Sequence, residues 1–218
     1  MAMITVKDLV KTYGSRMIFK DLSFDVEEKE FVALVGPSGC GKSTLLNMIG
    51  LLEEIDHGQI LINGQPLPTV NAKEAVQYRK YVINYLFQSN ALIANATVKE
   101  NLLLALAFTK DSKQEKEQKI QEALQFVGLD SLLNHKVNEL SGGEQQRVAI
   151  VRAILKPGDI VLADEPTGSL DPKMAQIAFD LIRSLRDCFG KTILMVTHNM
   201  DQAKQCDRVI EMKSVVEV

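Results

Sequence analysis

The run Gly36-Pro37-Ser38-Gly39-Cys40-Gly41-Lys42-Ser43 has the spacing G-x-x-x-x-G-K-S. Its glycines allow consecutive backbone N–H groups to curl inward as an anion nest. The apolar FVALV at 31–35 stands before it, and TLLNMIGLL follows with helical spacing, so the nest falls between a strand and a helix start whose dipole favours phosphate. In that setting Lys42 is expected on the outer phosphates of a bound nucleotide. Ser43 offers a hydroxyl to Mg²⁺, and Thr44 extends the helix start beside it.

A second group lies far along the chain. IVLADEP at 160–166 runs four apolar residues into Asp164 and Glu165, which places two carboxylates at the C-terminal end of a buried strand, where a ligand of such a sheet sits. Asp164 is expected to hold the Mg²⁺ hydration shell. Glu165 is the candidate general base for an attacking water. A third group, Leu140-Ser141-Gly142-Gly143-Glu144-Gln145-Gln146-Arg147, reads as another anion site, with Ser141 and two glycine N–H groups at the start of a helix over 144–156.

LSGGEQQR resembles the signature motif of ABC ATPases, and the resemblance runs from Tyr13 to His198, about the whole chain. It implies ATP and Mg²⁺ as ligands and assigns further residues by motif. Tyr13 resembles the aromatic that stacks on adenine. Gln88, in YLFQ, resembles the Q-loop glutamine that contacts the metal and the water. Ser169-Leu170-Asp171 resembles the D-loop, which in that family crosses a dimer interface. His198, in MVTHN, resembles the switch histidine at the γ-phosphate. His57 and His135 have no such context and are expected on the surface. The resemblance further implies a nucleotide-sandwich dimer, homodimeric in the simplest form. Ser141, Gly142 and Gly143 of one copy would complete the site formed by Gly36, Ser38, Gly39, Cys40, Gly41 and Lys42 of the other.

Several elements must position these residues. ITV at 4–6, MIF at 17–19 and FVALV at 31–35 read as strands of a β-rich opening, and QILING at 59–64 returns to strand character. Residues 72–80 are helix-like, YVINYLF at 81–87 is a strand, and 91–156 carry mostly helical patterns, including a surface helix apolar at Ile120, Leu124 and Val127 and stopped by Gly128. DIVLADE at 159–165 and TILMV at 192–196 are nearly all apolar, as strands buried on both faces of a parallel sheet are. Helices over 173–187 and 199–205 alternate with them. The expected fold class is α/β: a P-loop NTPase core with a mostly parallel sheet, an antiparallel β subdomain and an inserted α-helical subdomain. The chain is read as one ATPase domain over 1–218. Residues 1–88 and 157–218 form its core, and 89–156 the helical subdomain with the signature motif.

Composition narrows the class. The chain has 218 residues, 46% of them hydrophobic, with 25 Lys and Arg against 28 Asp and Glu for a net charge of -3, so a nucleic-acid surface is not expected. Cys40, Cys188 and Cys206 match no metal-ligand or disulfide spacing. Lys7 and Asp8 interrupt the opening where a signal peptide would be apolar, and the longest apolar runs are far short of a membrane span. A place at the cytoplasmic face of the cell membrane, held by a separate permease, is therefore expected. The segment YVINYLFQSNALIANATVKENLLLAL is similar to the macrolide-export and lipoprotein-release branch, and within it to the lactococcin-972-type bacteriocin-export ATPases. That implies export of a peptide or lipophilic substrate, or, in the same branch, force transmission to a cell-wall enzyme or sensor without transport. A soluble ABC ATPase acting on DNA or ribosomes is disfavoured by the acidic balance and the lack of coiled-coil insertions. The chain departs from the branch at Ile55-Asp56-His57-Gly58, where a Pro-Thr-Ser-Gly-like turn is usual.

Overall fold

The computed structural model describes residues 1–213. Residues 214–218, the end of the second core segment expected from the sequence, lie outside the described residues. The chain opens with a long hairpin, β1 (Ala2–Tyr13) and β2 (Arg16–Glu27), turned at Gly14 with φ 60°. These strands are much longer than ITV and MIF suggested, because Asp8 and Asp21, both at positive φ, introduce irregularities that let pairing continue past polar residues. β4 (His57–Ile62) and β5 (Gln65–Pro66) complete an antiparallel sheet in the order β2-β1-β4-β5.

The second sheet is parallel throughout and ordered β6-β7-β8-β3-β9. Its strands are β3 (Phe31–Val35), β6 (Ile83–Leu86), β7 (Ile160–Asp164), β8 (Thr192–Val196) and β9 (Arg208–Glu211). Every residue of β3 and β8 is buried, as their unbroken apolar runs require in a sheet covered on both faces. On one face α1 (Lys42–Ile49) and the antiparallel sheet close a core that includes Ile4, Leu34, Leu45, Ile60 and Leu162. On the other face α5 (Gly142–Leu155) and α6 (Pro172–Asp187) close a second core around Phe31, Phe179 and Met195, with the Phe31 and Phe179 rings stacked at 5.6 Å.

A third core is built from helices. α3 (Val98–Ala105) and α4 (Lys113–Phe126) pack on α5 through Leu102, Ile120, Leu124 and Val148. Thr97, Ser112 and Ser141 begin α3, α4 and α5 with reciprocal capping boxes to Glu100, Glu115 and Glu144. Ile154 and Leu181 touch both this core and the second one, joining the helical layer to the sheet. α2 (Lys73–Tyr81) and the short α7 (Met200–Ala203) complete the order. The fold class expected from the sequence is the one observed, with further differences in detail, among them an α7 confined to Met200–Ala203 where a helix over 199–205 was expected. β9 was absent from the sequence reading, and α5 starts two residues earlier than expected, so that Gly142 and Gly143 lie within its first turn. Among the described residues no helix is long and apolar enough to cross a membrane.

Candidate active site

The carboxyl ends of β3, β7 and β8 are neighbours in the parallel sheet, and each carries one part of the site. After β3 the glycine run turns into α1, whose N-cap is Gly41 in the left-handed region at φ 95°. A Cβ there would stand 2.3 Å from Ile18 Cγ2 and 2.6 Å from Phe19 Cε1; the position admits only glycine, on grounds of both conformation and space. α3, α4, α5 and α6 are capped by a side chain, whereas α1 has none and no acidic residue in its first turn. Its first amides are therefore free for an anion from outside the helix. Lys42 is buried, and its ammonium donates to the carbonyls of Gly36 at 2.8 Å and Pro37 at 2.9 Å. It also reaches Cys40 Sγ at 4.0 Å, and a buried cation held by carbonyl dipoles and a thiol sulfur, with no carboxylate among these acceptors, adds to the demand for negative charge.

On the facing wall, Ser43 donates to Asp164 Oδ1 at 3.0 Å. Burial raises the Asp164 pKa against the lowering effect of Ser43, and the charge of Glu165 raises it further. Glu165 itself lies in the left-handed region at φ 45°, with its N–H donated to the Val196 carbonyl at 3.0 Å. A non-glycine residue held there by a neighbouring strand is strain of the kind found at working sites. Its Oε1 lies 2.7 Å from His198 Nε2, so the first residue past β7 meets the loop past β8.

The cleft between these walls, about 340 Å³, is lined by Tyr13, Ser38, Gly39, Gly41, Lys42, Ser43, Thr44, Glu165 and His198 among the residues expected from the sequence. Cys40 points away from it, buried in the core beneath Lys42, and Gly36 contributes its carbonyl to Lys42. Arg16 and Ile18 also line the cleft and were missed. Arg16 donates to the Gly39 carbonyl at 3.1 Å, a contact visible only once the β1–β2 hairpin has been folded over the glycine run. Gln88 is exposed past the end of β6 and does not line the cleft. Ser141 and Gly142 are exposed elsewhere on the chain. Asp171 caps α6 by accepting from the N–H groups of Lys173 at 3.0 Å and Met174 at 3.1 Å.

Residues 19–168 match the family model described as ABC transporter. The chain belongs to the ABC transporter family. It is 38% identical over 210 residues to the lipoprotein-releasing system ATP-binding protein LolD of Bacteroides thetaiotaomicron, covering 96% of each chain. It is 36% identical over 215 residues to the macrolide export ATP-binding/permease protein MacB of Pasteurella multocida, covering 97% of this chain but 33% of that one; the chain thus spans a third of the MacB polypeptide. Among solved structures, the dimeric ABC transporter cassette MJ0796 superposes with a TM-score of 0.87 at 38% identity, covering 97% of this chain and 95% of that one. The same cassette in a post-hydrolysis dimer bound to ADP and Pi gives 0.86 at 36% identity, covering 99% and 98%. This ABC ATPase therefore belongs with the macrolide-export and lipoprotein-release branch, as the sequence indicated. The narrower likeness to bacteriocin-export ATPases has no counterpart among these relatives.

Proposed function

We propose that this ABC ATPase is the motor subunit of an export complex. ATP binding closes a head-to-tail dimer, hydrolysis reopens it, and the movement is passed to a separate membrane permease that moves a peptide or lipophilic substrate. The observation that carries the reading is the start of α1, where uncapped amides and a buried, carbonyl-held Lys42 face a wall of Asp164, Glu165 and His198. That arrangement suits a polyphosphate on one side and an in-line water on the other.

In this reading Lys42 and the amides from Gly39 to Ser43 take the β- and γ-phosphates, and the Tyr13 ring takes the base. The carboxylate of Glu165, held by His198, accepts a proton from water as the water oxygen bonds to the γ-phosphorus and the bond to the departing ADP oxygen breaks. His198 fixes the direction of that carboxylate and meets the γ-phosphate. Ser43 and Asp164 are hard oxygen donors within hydrogen-bond distance of each other, the donor type Mg²⁺ takes when phosphates and water fill its other positions. Gln88 would join them from its loop. When bound there, Mg²⁺ would neutralise phosphate charge and relieve the crowding of Asp164 against Glu165.

Ser141, Gly142 and Gly143 lie outside the cleft of their own chain, which supports a second copy as the source of the other half-site. Asp171 and Ser169 belong to the same interface in this reading. The division into a core of 1–88 and 157–218 and a helical subdomain of 89–156 is supported by the separate core around Leu102, Leu124 and Val148. A groove of about 280 Å³ between β6, α3 and α5, lined by Tyr85, Phe87, Leu104 and Arg152, supports a permease partner at the cytoplasmic membrane face, next to the Gln88 loop.

The test is light scattering on Glu165→Gln with and without ATP, alongside hydrolysis by both forms. The reading expects a shift from monomer to dimer on ATP and at least a 10²-fold loss of turnover, the usual contribution of a general base. Hydrolysis at the wild-type rate would remove Glu165 from its role. An unchanged mass would place closure under the control of the permease.

A further inference from the structure

The turn at which the sequence departs from its branch, Ile55-Asp56-His57-Gly58, folds against the far end of the cleft. Asp56 Oδ2 accepts from the Thr12 backbone N–H at 2.7 Å and from the Thr12 hydroxyl at 2.9 Å. Its Oδ1 accepts from Lys11 Nζ at 3.2 Å. Lys11, only 7% exposed, gives its remaining donors to the Glu54 carbonyl at 2.8 Å and to Glu53 Oε1 at 3.2 Å. All three ammonium protons thus have acceptors. Glu53 in turn accepts from the Tyr13 hydroxyl. Tyr13 is 48% exposed: its hydroxyl is tied down while the residue still lines the cleft.

These contacts join two parts of the chain that approach a nucleotide from opposite ends. Tyr13 ends β1 on the base side. Glu53 and Asp56 follow α1, whose first residue is Lys42 on the phosphate side. A half-exposed tyrosine at a strand end beside Gly14 would otherwise lose rotamer freedom only on meeting a base, at a cost to affinity. Here that freedom is already restricted in the free chain.

We propose that Lys11, Glu53 and Asp56 are positioning residues that hold the Tyr13 ring in place for the nucleobase and so set the base-dependent part of ATP affinity. The inference rests on the reading of Tyr13 as the base platform. It predicts that loosening the clamp weakens ATP about three- to tenfold, the effect of ordering one side chain on binding. Binding of inorganic tripolyphosphate, which has no base, should not change.

The experiment measures ATP and tripolyphosphate binding, both with Mg²⁺, together with KM, kcat and thermal melting, on the full chain and four variants. Tyr13→Ala should weaken ATP and leave tripolyphosphate unchanged. Tyr13→Phe, which keeps the ring and loses only an exposed hydroxyl, and Asp56→Ala should each weaken ATP three- to tenfold through KM more than kcat. Glu53→Gln, which retains an acceptor for the hydroxyl, should stay closer to wild type than either. If Tyr13→Ala weakens ATP while Tyr13→Phe and Asp56→Ala bind it as wild type does, the clamp is refuted and the base platform stands. If Tyr13→Ala leaves ATP binding unchanged, the platform fails and the clamp with it. Equal weakening of ATP and tripolyphosphate in Asp56→Ala would reduce the cluster to a structural tie.

Discussion

Gly142 separates what the fold requires from what the function requires. It occupies the first turn of α5, its φ is not positive, and a Cβ added there would meet nothing within 4 Å. Nothing within the described chain calls for glycine. Gly142→Ala should therefore stabilise the isolated subunit by about 0.5–1 kcal/mol, since alanine loses less backbone entropy in a helix. For a chain of this length that corresponds to a rise of roughly 1–4 °C in Tm. If the open space is kept for the triphosphate bound by a second copy, the same methyl group stands where phosphate and backbone must approach. ATP-driven dimerisation should then weaken by at least tenfold, about 1.4 kcal/mol or more. Thermal unfolding gives the first number, and light scattering against protein concentration in a Glu165→Gln background gives the second. A Gly142→Ala protein that dimerises on ATP as readily as its parent would refute the signature segment as half of a shared site. One that melts lower would refute the account of α5.

Two further outcomes follow from buried polar groups away from the cleft. Burial, with Arg152 and Lys191 nearby, pushes the Lys156 ammonium down to about 8, below the value of roughly 10.4 in the unfolded chain. Between those values the unfolded state binds more protons, so this residue makes stability rise with pH. The full linkage of about 3 kcal/mol is cut to about 1–2 because the group is only partly buried. In denaturant titrations the stability of wild type relative to Lys156→Met should rise by that amount between pH 7.5 and 10, and a constant or falling difference would contradict the shift. Asn101, 2% exposed, accepts from the Ile93 N–H at 2.8 Å and donates to the carbonyls of Ile93 and Thr97 at 3.1 and 3.0 Å. Asn101→Ala should cost about 2–3 kcal/mol and speed amide exchange at Ile93 before that of the parallel sheet, which calorimetry and hydrogen exchange would show.

What the sequence made legible was what repeats locally. FVALV, IVLAD and TILMV announced buried parallel strands because a strand covered on both faces has no polar alternation to hide it. The glycine run was legible because its residue types and spacing lie within eight consecutive positions, although the space at Gly36 and Gly41 is limited by Met212, Ile18 and Phe19 from elsewhere in the chain. β9 was not legible, since RVIE is an edge strand with alternating burial and its Arg208 is held by Glu30, distant in sequence. The second half of β1 was hidden for the same reason. Lys7, Asp8 and Lys11 look like loop residues, yet Lys11 is buried because three acceptors from residues 53–56 converge on it.

That distinction bears on the site itself. Its phosphate end is built from adjacent residues of one turn, so type and spacing suffice to read it. Its base end is built from the end of β1, the β1–β2 hairpin and the turn after α1, brought together by ion pairs and hydrogen bonds that no local pattern records. Arg16 and Ile18 were missed there, and Tyr13 could be placed only by resemblance to a family. The departure at Ile55-Asp56-His57-Gly58 looked like a weakness in the likeness to the export branch while it was read as a turn. In the folded chain Asp56 compensates for that change by accepting from Thr12 and Lys11, and the compensation would be exposed by restoring a threonine. Asp56→Thr offers one acceptor oxygen where the carboxylate uses two, so it should loosen Lys11 and raise KM for ATP by no more than Asp56→Ala does. A KM above that of Asp56→Ala would mean the turn is shaped by something other than its contacts to β1.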